Sequence, residues 1–125
     1  MTDLYREQLM EHYKNPANRG KLDNPSVTIN SNNPFCGDNV DLQLKIIDGK
    51  IEEVSFDGPA CAVSVASSSL ATDWIKGKTI KEAKDLKKKE LLEMLGVELT
   101  TSRVKCATLI LEALEQALEE YEREN

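Results

Sequence analysis

Apolar and polar residues alternate along the middle of the chain, and this period of two is typical of β-strands with one buried face. The alternating apolar positions are Val40, Leu42, Leu44 and Ile46. Asp48-Gly49 follows as a hairpin turn signal, so the segment 51–56 is expected to return as the neighbouring strand. A shorter apolar segment at 27–30 predicts another strand, followed by a turn region at 30–37. Together these segments predict an antiparallel meander.

Apolar residues three and four positions apart predict helices on both sides of the strands. The first helix covers 3–14 and ends before Pro16, because proline disfavours helical geometry in the residue before it. Another begins after Cys61 and ends at Gly77. Its expected buried stripe consists of Val63, Ala66, Leu70 and Trp74, and its serines would allow close packing on a sheet.

The C-terminal third of the chain is helical throughout. Thr79 and Glu82 form a capping-box pattern that opens a short helix, and Gly96 closes a second helix at 88–95. The last helix has N-cap candidates at 100–102 and should hold Cys106 in its first turn. Its apolar residues at helical spacing are Cys106, Leu109, Ile110, Ala113, Leu114, Ala117, Leu118 and Tyr121. The sequence therefore predicts an α+β fold, a three-stranded antiparallel sheet with packed helices, including an N-terminal helix and a long C-terminal one.

Composition narrows the class of protein. With 125 residues and 40% hydrophobic content, the chain is expected to form one domain over 1–125. The net charge of −6 disfavours nucleic acid or an anionic membrane as the main partner. The first residues lack the layout of a signal peptide, and no apolar run approaches the roughly 20 residues that span a bilayer. We therefore expect a cytoplasmic protein.

Three cysteines carry the candidate chemistry. Their odd number leaves at least one thiol outside any intramolecular disulfide, so thiols, metal ligands or nucleophiles are expected in a reducing compartment. Cys36, Cys61 and Cys106 are widely spaced and form no Cys-x-x-Cys pair. From spacing alone, small buried hydrophobic residues remain an alternative to metal ligands.

The surroundings of the cysteines favour metal or sulfur chemistry. Cys61 and Cys106 are expected at helix N-termini, whose partial positive charge favours thiolates, and Arg103 and Lys105 add charge beside Cys106. Cys36 lies in a Pro/Gly loop that could present a ligand, and Asp38 could face the same side. Thiolates with a carboxylate suit Zn²⁺ or iron rather than Mg²⁺ or Ca²⁺. The single histidine, His12, is interpreted as a helix-surface residue.

Several motifs, in order along nearly the whole chain, resemble the U-type iron–sulfur cluster assembly proteins, which comprise IscU, SufU and the NifU N-terminal domain. The matching stretches are His12-Tyr13-Lys14-Asn15-Pro16, Asn18-Arg19-Gly20, Asn33-Pro34, Cys36-Gly37-Asp38, Gly58-Pro59-Ala60-Cys61, Ser64-Val65-Ala66-Ser67 and Arg103-Val104-Lys105-Cys106. The resemblance implies a three-stranded antiparallel sheet with helices packed on it.

The resemblance also implies a site and partners. Cys36, Asp38, Cys61 and Cys106 would hold a metal ion or a [2Fe–2S] cluster, with Arg103 and Lys105 as neighbouring charges. A cysteine desulfurase would deliver sulfur as a persulfide, and downstream iron–sulfur proteins would receive the product. Cys36 is the candidate persulfide acceptor, and Cys106 is a second candidate catalytic residue.

Two subfamilies imply two functions. IscU proteins usually have a histidine before the last cysteine and a Leu-Pro-Pro-Val-Lys stretch for a dedicated Hsp70 chaperone. Here Lys105 replaces that histidine and the segment 99–102 replaces the stretch, so the resemblance does not extend to that chaperone. Residues 103–106 look more like SufU, although the chain lacks the usual SufU insertion. We therefore expect a non-enzymatic scaffold, with a zinc-dependent sulfurtransferase as the alternative and a structural zinc domain as a third hypothesis.

Overall fold

The computed structural model describes residues 3–33, 37–96 and 99–124. In these segments, the helices are α1 (Asp3–Lys14), α2 (Ala62–Ile75), α3 (Ile80–Ala83), α4 (Lys88–Leu95) and α5 (Thr101–Glu124). The strands are β1 (Val27–Asn33), β2 (Asp38–Ile47) and β3 (Lys50–Asp57). The predicted α+β class is confirmed, including the N-terminal helix and the long C-terminal helix.

The three strands form an antiparallel sheet in the order β1-β2-β3, as the alternating pattern predicted. The register pairs Val27 with Leu44 at one end of β1 and Asn33 with Asp38 at the other. The β2–β3 turn has positive φ at both central positions, 53° at Asp48 and 74° at Gly49. Positive φ at both positions is the type I′ geometry that matches the twist of the strands, which explains the strength of the Asp-Gly signal.

The core lies between one face of the sheet and the helices. Helix α5 packs across β1 and β2, while α2 contacts β3, α1, α4 and α5. The largest fully buried hydrophobic side chains are Leu42, Leu44, Ile51, Ile75, Leu91, Leu109, Ile110 and Leu118. The alternating positions of β2 and the apolar stripe of α5 supply five of these eight side chains, as expected from their periods.

Strand β1 extends beyond the predicted segment 27–30, because residues 31–33 also belong to the strand rather than to a turn. The side-chain amide of Asn30 donates to Asn39 Oδ1 at 2.5 Å and to Asp41 Oδ1 at 2.7 Å across the β1–β2 pair. These cross-strand bonds and the backbone ladder outweigh the preference of asparagine for turns. As a result, β1 runs directly to the position opposite Asp38.

The predicted buried stripe of α2 is wrong for most of its members. Val63, Leu70 and Trp74 are only partly buried, whereas Ala66 is buried as expected. The small polar residues Ser64, Ser67, Ser68, Ser69 and Thr72 are all buried. Because α2 touches three helices and a strand, small side chains are needed on most of its circumference, and its large apolar residues lie at the margins.

His12 connects the first helix to α2, which the sequence did not indicate. Its Nδ1 lies 2.8 Å from Ser69 Oγ, and the residue is half-buried rather than on the helix surface. The same Ser69 hydroxyl accepts a 2.8 Å hydrogen bond from the backbone N–H of Ala17. One buried serine therefore holds both the end of α1 and the segment after it.

The remaining helices follow their sequence signals. Thr79 and Glu82 form the expected reciprocal capping box at α3. Gly96 ends α4 in the left-handed conformation, with φ of 68°. Among the described residues, no helix is both long enough and apolar enough to cross a membrane.

The buried serines of α2 allow a matched stability test. Among the residues that the structure describes, Ser68 Oγ is buried without a hydrogen-bond partner, whereas Ser67 Oγ donates to the backbone carbonyl of Ala107. We expect Ser68→Ala to raise the free energy of unfolding by about 1 kcal/mol, because it removes an unsatisfied buried hydroxyl. Ser67→Ala should be less stable than Ser68→Ala by about 1–2 kcal/mol, because it also loses a buried bond.

Urea unfolding of both variants measures this difference. The change in helix propensity from serine to alanine is common to both variants, so the comparison isolates the hydroxyl groups. Equal stabilities of the two variants would contradict the assignment.

Candidate metal centre

Three elements that are distant in sequence bring metal-ligating side chains together. Asp38 opens β2, Cys61 precedes α2 and Cys106 lies in α5. One ligand atom from each residue lies within 4.8 Å of the others. Cys36, the fourth predicted ligand, lies outside the described residues, so its place in this group stays a prediction.

Asp38 is positioned by strand pairing rather than by a loop. It pairs with Asn33 as the first residue of β2, and its side chain is only 2% exposed. The backbone N–H of Cys61 donates to Asp38 Oδ1 at 2.7 Å, and Cys61 Sγ lies 3.4 Å from Oδ2. A buried carboxylate needs such donors to offset the loss of hydration. Asp38 is therefore fixed on the sheet with an oxygen directed at the Cys61 thiol.

Cys61 is the N-cap residue of α2, in agreement with the prediction that it precedes a helix. The loop that carries Cys61 packs against β2, and the backbone N–H of Asn39 donates to the carbonyl of Pro59 at 2.9 Å. Gly58 makes this close approach possible. It has φ of +113°, and a Cβ there would lie 2.4 Å from the carbonyl oxygen of Asn39. Only glycine fits this position without displacing the loop.

Cys106 is not in the first turn of its helix, so that prediction is wrong. Helix α5 begins at Thr101, which makes Cys106 the sixth residue and places it in the second turn. The backbone N–H of Arg103 bonds to the Thr100 hydroxyl at 3.4 Å, so an N-cap of the predicted type is present one turn earlier. Helix-dipole effects fall off within the first turn, so the expected effect of the helix N-terminus on the Cys106 thiol does not apply. Its thiol is instead 1% exposed, among the core residues of α5.

Arg103 supplies the positive charge of the site. The pKa of its guanidinium is raised by the negative charge of Cys61 first, by hydrogen bonding to Cys61, and also by Cys106. Arg103 is exposed, so it approaches the sulfurs from the solvent side. Lys105 instead lines a groove of about 710 Å³ between α5 and the α3–α4 segment, and its predicted role beside the thiols stays a prediction.

The donor set fits a thiophilic metal. Cys61 and Cys106 are both reduced thiols, and with Asp38 they offer two sulfurs and one oxygen. In a tetrahedral zinc site with Zn–S bonds of about 2.3 Å and Zn–O bonds of about 2.0–2.2 Å, a sulfur ligand and an oxygen ligand are about 3.6 Å apart. The 3.4 Å between Cys61 Sγ and Asp38 Oδ2 agrees with that spacing. The residues present therefore suit zinc or iron, whereas a calcium site would need more oxygen ligands.

The sequence did not indicate the residues that support this site. Gly58 and Asn18-Arg19-Gly20 belong to motifs of the resemblance, and the apolar pattern of the sequence gives them no role in the site. Gly58 proves to be in contact with β2, and Arg19 hydrogen-bonds to the Gly58 carbonyl. Such contacts between distant segments leave no periodic signal in the sequence.

The fold and the site define a class of protein: a small α+β fold that gathers two cysteines and an aspartate where the sheet meets its helices. The chain matches the family model described as the NifU-like N-terminal domain over residues 4–125. The chain therefore belongs to the NifU-like N-terminal domain family.

Relatives in this family carry two kinds of name. The chain is 37% identical to the zinc-dependent sulfurtransferase SufU of Bacillus subtilis, covering 98% of this chain and 94% of that protein. It is 38% identical to the iron–sulfur cluster assembly scaffold protein IscU of Escherichia coli, covering 94% and 93%.

A solved structure is similar over most of its length. It is a candidate iron–sulfur cluster assembly scaffold protein for the SUF system from Fervidobacterium islandicum AW-1. Its TM-score is 0.79 at 30% identity, covering 90% of this chain and 94% of that chain.

Gly58 provides a test of the site geometry. We expect Gly58→Ala to lower the free energy of unfolding by about 2–4 kcal/mol, because the new Cβ meets the Asn39 carbonyl. In the protein that remains folded, zinc affinity should fall by at least about tenfold, because Cys61 is displaced from Asp38. Urea unfolding and competition with a chelator measure the two effects.

Gly77→Ala is the matched control. Gly77 also has positive φ, +84°, but no atom of the described part of the chain lies within 4 Å of the Cβ position. Alanine there should cost stability through backbone strain alone and leave zinc affinity unchanged. Equal zinc affinities of the two variants would show that the contact between Gly58 and Asn39 does not set the site.

Proposed function

We propose that this protein is an iron–sulfur cluster assembly scaffold. It accepts sulfur from a cysteine desulfurase, builds a [2Fe–2S] cluster on Cys36, Asp38, Cys61 and Cys106, and passes the cluster to acceptor proteins. The observation that carries the proposal is the convergence of Asp38, Cys61 and Cys106, whose ligand atoms lie within 4.8 Å of one another.

The surroundings of these ligands suit a site that holds an anionic cargo. A cluster bound by thiolates and a carboxylate is negatively charged, and the Arg103 guanidinium beside both sulfurs offsets part of that charge. Cys106 is buried on the core side, whereas Cys61 is only partly buried. The site is therefore anchored in the core and approachable from the side of Cys61 and Arg103, as delivery and release of a cluster require.

Asp38 gives the site its capacity to release cargo. A carboxylate oxygen is a harder ligand than a thiolate and binds iron in a cluster less firmly. Oδ1 of Asp38 accepts from the Cys61 N–H at 2.7 Å, and Oδ2 lies 3.4 Å from the Cys61 sulfur. We infer that a single carboxylate oxygen completes the ligand set and keeps the cluster transferable.

The scaffold proposal is tested by anaerobic reconstitution with iron and sulfide. We expect bound iron and acid-labile sulfide in equal amounts, with the visible spectrum of a [2Fe–2S] cluster. Asp38→Ala should retain its cluster several-fold longer than wild type during transfer or chelation, because the labile oxygen ligand is gone.

A second variant guards against loss of the fold. Asp38→Asn keeps a side-chain oxygen that can accept from the Cys61 N–H while it weakens the ligand. Faster cluster loss in Asp38→Ala, with Asp38→Asn folded as wild type, would refute the role of Asp38. Stoichiometric zinc without sulfide in protein purified without oxygen would count against the scaffold itself.

A zinc-dependent sulfurtransferase is the second candidate. The specific observation in its favour is Arg103, which belongs to the segment that resembles SufU and whose pKa is raised by Cys61 and Cys106. The chain is also 37% identical to a relative that is named a zinc-dependent sulfurtransferase. In this function, Cys36, Asp38, Cys61 and Cys106 would hold the ion, which stabilises the thiolate form of the cysteines.

In this function, Cys36 would accept the sulfur from the desulfurase. Its thiolate attacks the outer sulfur of the desulfurase persulfide and forms a new S–S bond. The S–S bond of the desulfurase breaks, and its cysteine leaves as a thiolate. No net oxidation occurs, because one disulfide-type bond replaces another. Arg103 is the cation that would stabilise negative charge on sulfur during this exchange.

The sulfurtransferase function predicts that zinc-loaded protein raises the turnover of the desulfurase. Cys36→Ala should abolish that rise while the protein remains folded, because the acceptor thiol is missing. Lys45→Gln, which removes an exposed charge on β2, should behave as wild type. The sulfide released per minute in the presence of excess reductant measures turnover. No stimulation by the wild-type protein, or full stimulation by Cys36→Ala, would remove this candidate.

A further inference from the structure

The segment Ala17-Asn18-Arg19-Gly20 has no role in the ligand set, yet it touches both elements that flank the Cys61 loop. We call these four residues the clasp. The loop leaves the sheet at the end of β3 and enters α2 after Cys61. The clasp is bonded to the strand on one side and to the helix on the other.

On the strand side, the clasp extends the sheet. The N–H of Phe56 donates to the carbonyl of Asn18 at 3.0 Å, and the N–H of Gly20 donates to the carbonyl of Phe56 at 2.9 Å. These two bonds form a parallel bridge between Arg19 and Phe56. The last residues of β3 are therefore held from both sides, by β2 and by the clasp.

On the helix side, the clasp bonds to two buried side chains of α2. The N–H of Ala17 donates to Ser69 Oγ at 2.8 Å, and the Asn18 amide donates to Thr72 Oγ1 at 3.2 Å. Asn18 has φ of 64°, a left-handed conformation that asparagine tolerates better than most residues. This conformation lets one residue bond to the strand through its carbonyl and to the helix through its side chain.

Arg19 reaches the Cys61 loop itself. Its Nη2 donates to the carbonyl of Gly58 at 3.1 Å, and its Nε lies 3.4 Å from Asp57 Oδ1. The same Asp57 oxygen accepts from the N–H of Gly58 at 2.9 Å. The Gly58 N–H is the largest cause of a lowered pKa of Asp57, and Arg19 adds to it against the opposing effect of burial. Asp57 is therefore ionised at neutral pH and available to Arg19.

We propose that the clasp positions the Cys61 loop, and that Arg19 is the positioning residue that holds Gly58 and, through it, Cys61 against Asp38. The bonds to β3 and α2 fix the two ends of the loop, while Arg19 fixes its first residue. Gly58 is also the residue whose close contact with Asn39 seats the loop on β2. The clasp thereby connects the segment after α1 to the geometry of the ligand set.

Arg19 tunes the site without being needed for folding. The side chains of Arg19 and Asp57 are 38% and 40% exposed, so their attraction is screened by water. Removing it should loosen the loop and leave the core intact. This inference rests on the proposed metal site for one of its two measurements, and the other needs no metal.

The test compares Arg19→Gln with Lys45→Gln, which breaks a similarly exposed ion pair, Lys45–Glu53, on the sheet away from the loop. In metal-free protein, the rate at which iodoacetamide alkylates Cys61 is followed by mass spectrometry of peptides. We expect this rate to rise about threefold to fivefold in Arg19→Gln, in line with the strength of an exposed ion pair. The alkylation rate of Cys61 should be unchanged in Lys45→Gln. The two variants should have the same urea concentration at the midpoint of unfolding.

One further variant and one further measurement extend the test. Arg19→Lys should give an intermediate alkylation rate, because lysine can pair with Asp57 but lacks the second donor in a fixed fork for the Gly58 carbonyl. The zinc dissociation constant, measured by competition with a chelator, should also rise about threefold to fivefold in Arg19→Gln.

The results separate this inference from the proposed function. An unchanged Cys61 alkylation rate in Arg19→Gln would overturn the positioning role, whatever the protein binds. A raised rate in a protein that binds neither zinc nor a cluster would support the clasp and refute the proposed function. Equal effects of Arg19→Gln and Lys45→Gln would show a general loss of stability rather than positioning of the loop.

Discussion

The contact between Asp38 and Cys61 joins the sheet to the helical layer at the point where the candidate site is built. The backbone N–H of Cys61 donates to Asp38 Oδ1, and the thiol lies beside Oδ2. Because Asp38 is the first residue of β2 and Cys61 caps α2, this pair sets how the central strand and the first helix of the core meet. A buried carboxylate without these donors would destabilise the domain, so the site and the fold depend on the same contact.

Backbone geometry at a few positions makes that contact possible. The loop before Cys61 lies on β2 only because Gly58 lacks a Cβ, and the Pro59 carbonyl accepts from the N–H of Asn39 at that place. Helix α5 then brings Cys106 to the pair from the C-terminal end of the chain. The ligands come from segments far apart in sequence, so the site forms only when the sheet, α2 and α5 have packed together.

The sequence predicted the fold well where the period of apolar residues is regular. The alternation in β2, the Asp48-Gly49 turn and the long apolar stripe of α5 all led to correct elements, because in each case local geometry and burial agree. The prediction failed where tertiary contacts determine the local structure. Residues 31–33 continue β1 through pairing with β2, and α2 buries serines because neighbours surround it.

The same distinction applies to the site. Residue type and motif order were enough to select Asp38, Cys61 and Cys106, which the structure brings together. Cys106 lies one turn later than predicted: the helix begins at the expected capping residues, but Cys106 is its sixth residue and so falls in the second turn. The sequence pattern did not indicate that Gly58 and Arg19 support the site. Their roles depend on how closely two distant segments approach each other, and the order of residues does not show that distance.

The fixed position of Asp38 changes how a transferable cluster would be released. In a mobile loop, Asp38 could leave the cargo by moving away. Strand pairing with Asn33 and the bond from the Cys61 N–H hold it in place instead. Lability would then come from the chemistry of the oxygen ligand, whose bond to iron is weaker than that of a thiolate, rather than from displacement of the residue. A rigid site with one weak ligand can keep its shape while cargo is loaded and released, and no part of the described ligand set must refold between cycles.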